Sequence, residues 1–345
     1  MKAVVFQDFG RADVLRLAEV PAPEIRPTDL LVRARAAGVN RADLLQRQGA
    51  YGTENFGDSP LLGLELAGEV IETGEEVTGF RRGDWVMAIT GGGAYAEFAR
   101  IDQGMAVRMP EHLGFIEAAA VMEPFVTAYE VVGHLAGLGA GQAVLVHAAA
   151  GGVGSAVVQV ARALGGRVLA TAGAGHLGDV LSLGAEAVVD YRSGDFEAEA
   201  RRFTDGQGLD AVVDFIGGAT LAGNLRSLRP GGILVQVGLM GGGGDATIPL
   251  GLLLHNHLRL VGTVMKSRQS DEKRAMVQRF ADRMLPLFAS GTMRAVVSQV
   301  FPWRRSCKRT RLWSAAEVSG RSCSNCLEGS GRRGHHITPA PPTRA

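Results

Sequence analysis

Cysteine is almost missing from this 345-residue chain: the three present, Cys307, Cys323 and Cys326, all fall in the last 43 residues. The body therefore holds no disulfide and no thiolate metal ligand. Lysine is as scarce, with four (Lys2, Lys266, Lys273, Lys308) beside 32 arginines, a bias that points to a GC-rich gene. No uninterrupted apolar run approaches the ~18 residues of a membrane span, and MKAVVF leads straight into a strand pattern rather than a secretory leader, so no membrane contact and a cytoplasmic setting are expected. Histidines such as His112, His134 and His147 stand singly, the pattern of structural groups rather than ligands. The net charge of +1 conceals an asymmetry, with nine Lys or Arg against two Asp or Glu from Trp303 on, and 27 against 33 before it. An acidic body argues against nucleic acid as the main ligand.

What is present divides in two. Residues 1–117 read as short strands (KAVVF, LLVRARAAGV, GLELAGEVIETG, GDWVMAI, AYAEFARI) broken by Gly and Pro, with one helix at 41–49, which suggests a barrel-like β domain. From about Glu123 helices alternate with apolar strands, the pattern of a doubly wound parallel sheet, so the fold class is α/β. At its centre lies AVLVHAAAGGVGSAVVQVARALGGR, a buried strand, a glycine turn and an apolar-periodic helix, with the strand VLATAG following at βαβ spacing. The turn reads A-x-G-x-x-G, Ala149 taking the first glycine's place. Gly151 permits close approach of a pyrophosphate, Gly154 permits tight packing of helix on strand, and the helix N-terminus offers free N–H groups, so a dinucleotide site is expected. An amphipathic helix at 269–287 and a strand, VVSQVFP, follow.

The segments AAGVNRADLLQRQGAY, PLLGLELAGEV, HAAAGGVG and GLMGGG occur in that order. Through them the chain up to about Pro302 resembles the quinone oxidoreductase (zeta-crystallin-like) branch of the zinc-free medium-chain dehydrogenases/reductases. The resemblance implies a GroES-like catalytic β-barrel over 1–122, a Rossmann domain over 123–265 and a return segment over 266–302, with the active site in the cleft between the domains. Where zinc-dependent relatives place a ligating Cys and His, this chain has Asn40 and Leu64, so no metal is expected. Without a Lewis acid, a quinone is the favoured substrate, because its reduced form is a delocalised phenolate that hydrogen bonds from Asn40 or Tyr51 and a proton from water could stabilise.

By the same resemblance Asn40, Asp43 and Tyr51 line the cleft, although Asp43 could equally cap the short helix and Tyr51 could equally pack. Thr127 is implied at the nicotinamide amide, Gly151, Gly152 and Val153 at the pyrophosphate, Gly173 and Tyr191 beside the adenosine phosphate, and Gly217, Met240 and Val264 along the nicotinamide. NADPH is the expected cofactor: the second Rossmann strand ends in TAGAG, with no acid to hold a ribose 2′-hydroxyl. The Lys that many relatives carry after T-A-G is missing, leaving His176 and Arg192 as the nearby cations. The alternative for Tyr191 is a core aromatic at a strand end. The expected activity is an NADPH-dependent quinone reductase, a homodimer paired through its Rossmann domains; the alternatives are an enone or alkenal reductase and a non-catalytic NADPH-binding protein.

The last 43 residues lose all periodicity. Encoding PWRRSCKRT in GC-rich codons and reading from the third base gives L-E-E-V-L-Q-A-H, and VSGRSCSN at the same offset gives V-G-K-I-V-L-E. These are the family's acidic helix and closing strand, in order. A frameshifted translation over 303–345 is therefore expected, without the apolar positions to pack as that helix and strand, and so disordered or poorly placed.

Overall fold

The computed structural model describes residues 1–50, 59–242 and 245–301 in full, and the backbone of 302 and 325–328. Its first half is strand for the reason the sequence suggests: β-branched and small apolar residues between Gly and Pro turns. Strands β1 (Lys2–Val5) and β2 (Arg16–Glu19) pair as an antiparallel ribbon. After them come β3 (Asp29–Val39), helix α1 (Arg41–Arg47), β4 (Glu65–Thr73), β5 (Trp85–Ile89), β6 (Phe98–Asp102) and β7 (Ala106–Arg108). The long β3 organises this domain, because it pairs with β4 along most of its length and with β6 across its first half. Leu30 and Val32 are buried beneath it while Arg33 faces water.

Two short helices, α2 (Phe115–Ala118) and α3 (Met122–Ala128), carry the chain across to the second domain. There α3 widens into a π-helical turn, Tyr129–Leu135. Next come β8 (Ala143–Val146), α4 (Gly152–Ala163), β9 (Arg167–Ala172), α5 (Leu177–Ser182), β10 (Ala187–Asp190) and α6 (Phe196–Phe203). They continue as β11 (Leu209–Asp214), α7 (Gly218–Ser227), β12 (Leu228–Gln236), α8 (Leu250–His255) and β13 (Arg259–Gly262). The sheet is parallel throughout, in the order β10-β9-β8-β11-β12-β13. Every residue of β8 is buried, as a central strand covered on both faces requires. The strand order reverses between β8 and β11, and a crevice opens at their carboxyl ends.

The predicted return helix is two helices, α9 (Ser270–Arg283) and α10 (Leu285–Ala289). Pro286 has no N–H to continue the ladder, so the chain restarts at Met284. Phe288 meets Phe125 edge-on at 4.7 Å, seating the pair on α3. Arg274 ties α9 to the barrel through Asp102 at 2.6 Å, and Arg279 ties it to Glu130 of the π turn, also at 2.6 Å. Strand β14 (Gln299–Pro302) is followed by β15 (Asn325–Glu328), inserted between β14 and β3. The four residues of β15 pair through the main chain. Main-chain groups at the edges of β3 and β14 accept any extended segment, whatever side chains it carries. The rest of 303–345 lies outside the described residues.

Candidate active site

The glycine turn is shaped by one close approach. A Cβ at Gly154 would stand 2.3 Å from the Ala148 carbonyl oxygen, so α4 can lie this close to the end of β8 only with glycine there. Ala148 itself takes a left-handed backbone, φ 49°, normally costly for alanine. Its carbonyl accepts the Gly151 N–H at 2.9 Å, and Gly151 then caps α4 with no side chain over the helix end. The first-turn N–H groups of Gly152 and Val153 therefore remain available to an anion.

Beneath this turn a buried polar network joins β8, β9, β11 and α7. Asp214 accepts from the Ile216 N–H at 2.6 Å, from Thr220 Oγ1 at 2.7 Å and from Asn224 Nδ2 at 2.9 Å. Asn224 thereby turns its Oδ1 to His147 Nε2 at 2.7 Å, which fixes the proton on that nitrogen, while Nδ1 accepts from Thr171 at 3.0 Å. Burial holds the His147 pKa below its ordinary value, so the ring is neutral. Both ring nitrogens of His147 are thus engaged inside the network. Asp214 also receives the Gly217 N–H at 3.3 Å, and Gly217, at φ 92°, lets the chain turn beneath Leu239.

At the far end of the crevice β9 closes on Ala172 and Gly173. Tyr191 is 59% exposed and its ring lies beside Gly173, so it is not the core aromatic of the alternative reading. The Arg192 guanidinium covers that ring at 5.1 Å. His176 instead faces Asp179, at 3.1 Å.

Between the domains lies a cavity of about 810 Å³, walled by Asn40 and Leu64 from the barrel and by Glu123, Thr127, Val153, Met240, Val264 and Lys266 from the other side. Asn40 is held in place: its Nδ2 donates to Glu65 Oε1 at 2.9 Å, and Glu65 Oε2 accepts the Glu123 N–H at 3.0 Å. A Cβ at Gly38 would fall 2.2 Å from Glu65 Oε1, so that glycine makes room for the carboxylate. Asp43 sits behind Asn40, fully buried, accepting from the Asn40 N–H at 2.8 Å, Tyr95 Oη at 2.8 Å and the Gly63 N–H at 3.1 Å. Burial dominates all three acids and pushes Asp43 up to about 6, Glu65 to about 8 and Glu123 to about 7, with the charge of Asp43 adding to the last two. Burial likewise draws Lys266 down to about 8.

Of the residues singled out from sequence, Asn40, Thr127, Val153, Met240 and Val264 meet around this cavity. Gly151 and Gly152 adjoin Val153, and Gly173 and Tyr191 meet at the other end. Asp43 is not on the cavity wall; its three donors make it the brace of the loop beneath Asn40, close to the capping alternative. Tyr51 lies outside the described residues. Sequence reasoning passed over Glu65, Glu123 and Lys266. The first two carry a legible signal, a single acid inside an apolar run (GLELAG and AVMEPFV).

The domain family described as "Alcohol dehydrogenase GroES-like domain" matches residues 26–111, and that described as "Zinc-binding dehydrogenase" matches 152–282. Human quinone oxidoreductase is 34% identical over 248 residues, covering 70% of this chain and 74% of that protein. The Escherichia coli quinone oxidoreductase solved in complex with NADPH superposes with a TM-score of 0.82 at 27% identity, covering 95% of this chain and 100% of that one. An NAD-dependent alcohol dehydrogenase superposes with a TM-score of 0.83 at 30% identity, covering 96% and 100%. The chain also matches polyketide synthases, such as NorB of Streptomyces orinoci, but spans only 10% of that protein's length.

Proposed function

Because the chain belongs to the zinc-free quinone oxidoreductase family of medium-chain dehydrogenases/reductases, an oxidoreductase family using a nicotinamide cofactor, we propose that it is an NADPH-dependent reductase of small quinones. The observation that carries this reading is the meeting of Asn40 with Thr127, Val153, Met240 and Val264 around one largely apolar cavity at the strand-order reversal. The cradle fits a dinucleotide on its own geometry: an uncapped α4 N-terminus, a glycine at the close approach and an exposed tyrosine beside Gly173. Bound there, the reduced nicotinamide supplies a hydride. The chain's own groups do the rest. Gly151, Gly152 and Val153 hold the pyrophosphate, Thr127 orients the ring amide, and Asn40, clamped by Glu65, keeps its second amide N–H for the substrate oxygen.

The preference for NADPH over NADH rests on Ala172 and Gly173, where a carboxylate would otherwise hold the 2′-hydroxyl, and on the Arg192 guanidinium stacked on Tyr191. The margin is modest because the Lys that many relatives carry after T-A-G is missing, and each lost charge-assisted phosphate contact is worth about 1.5–3 kcal/mol. Pairing of two copies through β13 is supported by its place at the sheet edge and by exposed Leu260, Leu250 and Leu254 nearby. Among the described residues no helix is long and apolar enough to cross a membrane. The test is cofactor oxidation with a panel of small quinones and enones, comparing kcat/KM for the two cofactors. Quinone turnover with an NADPH preference is expected; turnover of enones alone points to the carbon–carbon bond, fluorescence quenching without turnover to a binding protein, and a clear NADH preference overturns the cofactor assignment.

A further inference from the structure

We propose that Glu123 is the proton donor of the cleft, handing its carboxyl proton to the substrate oxygen that becomes anionic when a hydride is accepted; this step rests on the reductase reading above. Glu123 is the second residue of α3 and lies one turn before Thr127, so both project from one face into the cavity. Its backbone N–H is committed to Glu65, but its carboxyl makes no hydrogen bond or ion pair among the described residues. The other acids of the cleft cannot serve: on the wall, Asp102 is paired with Arg274 and Glu130 with Arg279. Asp43 is off the cavity wall with both oxygens taken, and Glu65 stands behind Asn40, its two oxygens accepting from Asn40 and from the Glu123 N–H.

The charged groups facing Glu123 are Asp43 from α1 and Glu65 from β4, both of like sign. Strand β5 contributes Ile89 and α4 contributes Val153, neither titratable. Elsewhere on the cavity wall stand Arg26, Arg41, Lys266 and, from α9, Lys273 and Arg274, the last engaged by Asp102 and Asp271, with Glu130 of the π turn engaged by Arg279. Burial and the charge of Asp43 push Glu123 up to about 7, where an acid can both give and regain a proton near neutral pH. The step balances. The O–H bond of the Glu123 carboxyl breaks, an O–H bond forms on the product, the two electrons arrive with the hydride from the reduced nicotinamide, and the carboxylate regains a proton from water in the cavity. The group replaces bulk water as the proton source.

Glu123→Gln keeps the volume and the backbone donor to Glu65, so the fold is retained. Infrared titration of the full chain without cofactor is expected to show, in the wild-type-minus-Glu123→Gln difference, one protonated-carboxyl band lost near neutral pH, beyond the bands of Asp43 and Glu65 that both proteins share. In turnover, Glu123→Gln is expected to lower kcat about 100-fold and to flatten the decline of kcat above neutral pH, while Glu123→Asp restores part of the rate and the decline. A wild-type-minus-variant difference spectrum with no such band, or a variant with the wild-type rate and pH profile, overturns the proposal. A wild-type chain that reduces nothing in the panel refutes the reductase reading instead, and the infrared titration still decides whether Glu123 holds a proton at neutral pH.

Discussion

Replacing Glu65 by glutamine should alter the pH dependence of stability more than stability itself. Glu65 is 2% exposed, and burial raises its carboxyl from 4.5 to about 8. The folded chain therefore holds a proton that the unfolded chain has released across that window, and stability falls as pH rises through it, with no further loss above it. Between about pH 5 and about pH 8 the loss is about 4 kcal/mol, at 1.36 kcal/mol per unit. Glutamine carries no charge and escapes this loss. It offers one acceptor where Glu65 accepts from both Asn40 and the Glu123 N–H, so one donor is left unpaired at a pH-independent cost of about 1–3 kcal/mol. Asp43 and Glu123 titrate in both proteins and cancel to first order in the difference. The expected outcome is a crossing: Glu65→Gln is the weaker protein near pH 5 and the stronger near pH 9. Urea unfolding of both chains across this range measures the difference directly. Stability curves that run parallel would refute the buried, proton-holding role given to Glu65.

Gly154→Val should abolish cofactor binding, since even its Cβ falls 2.3 Å from the Ala148 carbonyl oxygen and the turn must move; titration of cofactor fluorescence checks this, and wild-type affinity would contradict the steric argument. Thr171→Val leaves His147 Nδ1 without its donor, and denaturant unfolding should show a loss of about 1–3 kcal/mol. Chelators should leave activity unchanged, because Asn40 and Leu64, at the cavity wall, take the positions that the family resemblance assigns to the Cys and His ligands of zinc-dependent relatives; stoichiometric zinc by elemental analysis, lost together with activity, would show otherwise. Resequencing the gene around the Pro302 codon should find the shifted frame that reads L-E-E-V-L-Q-A-H; the present frame, together with a tail that resists proteolysis in the purified protein, would overturn the frameshift.

The sequence by itself determined the two kinds of domain and the glycine turn. These are local facts: strand and helix periods follow from backbone geometry, and Gly154 is demanded by an approach between residues six apart. It also marked the odd character of the tail. Three things it could not settle. Whether Asp43 faces substrate or braces a loop depends on Tyr95 and Gly63, far along the chain. That Glu65 clamps Asn40 depends on β4 passing alongside β3, with Gly38 small enough to admit the carboxylate. And the upward shift of Glu123 arises because a helix of one domain packs beside Asp43 of the other, a proximity that no local pattern records. Backbone preference is written residue by residue, but desolvation and charge proximity exist only once distant segments meet, so the chemistry of this cleft was decided by the tertiary structure.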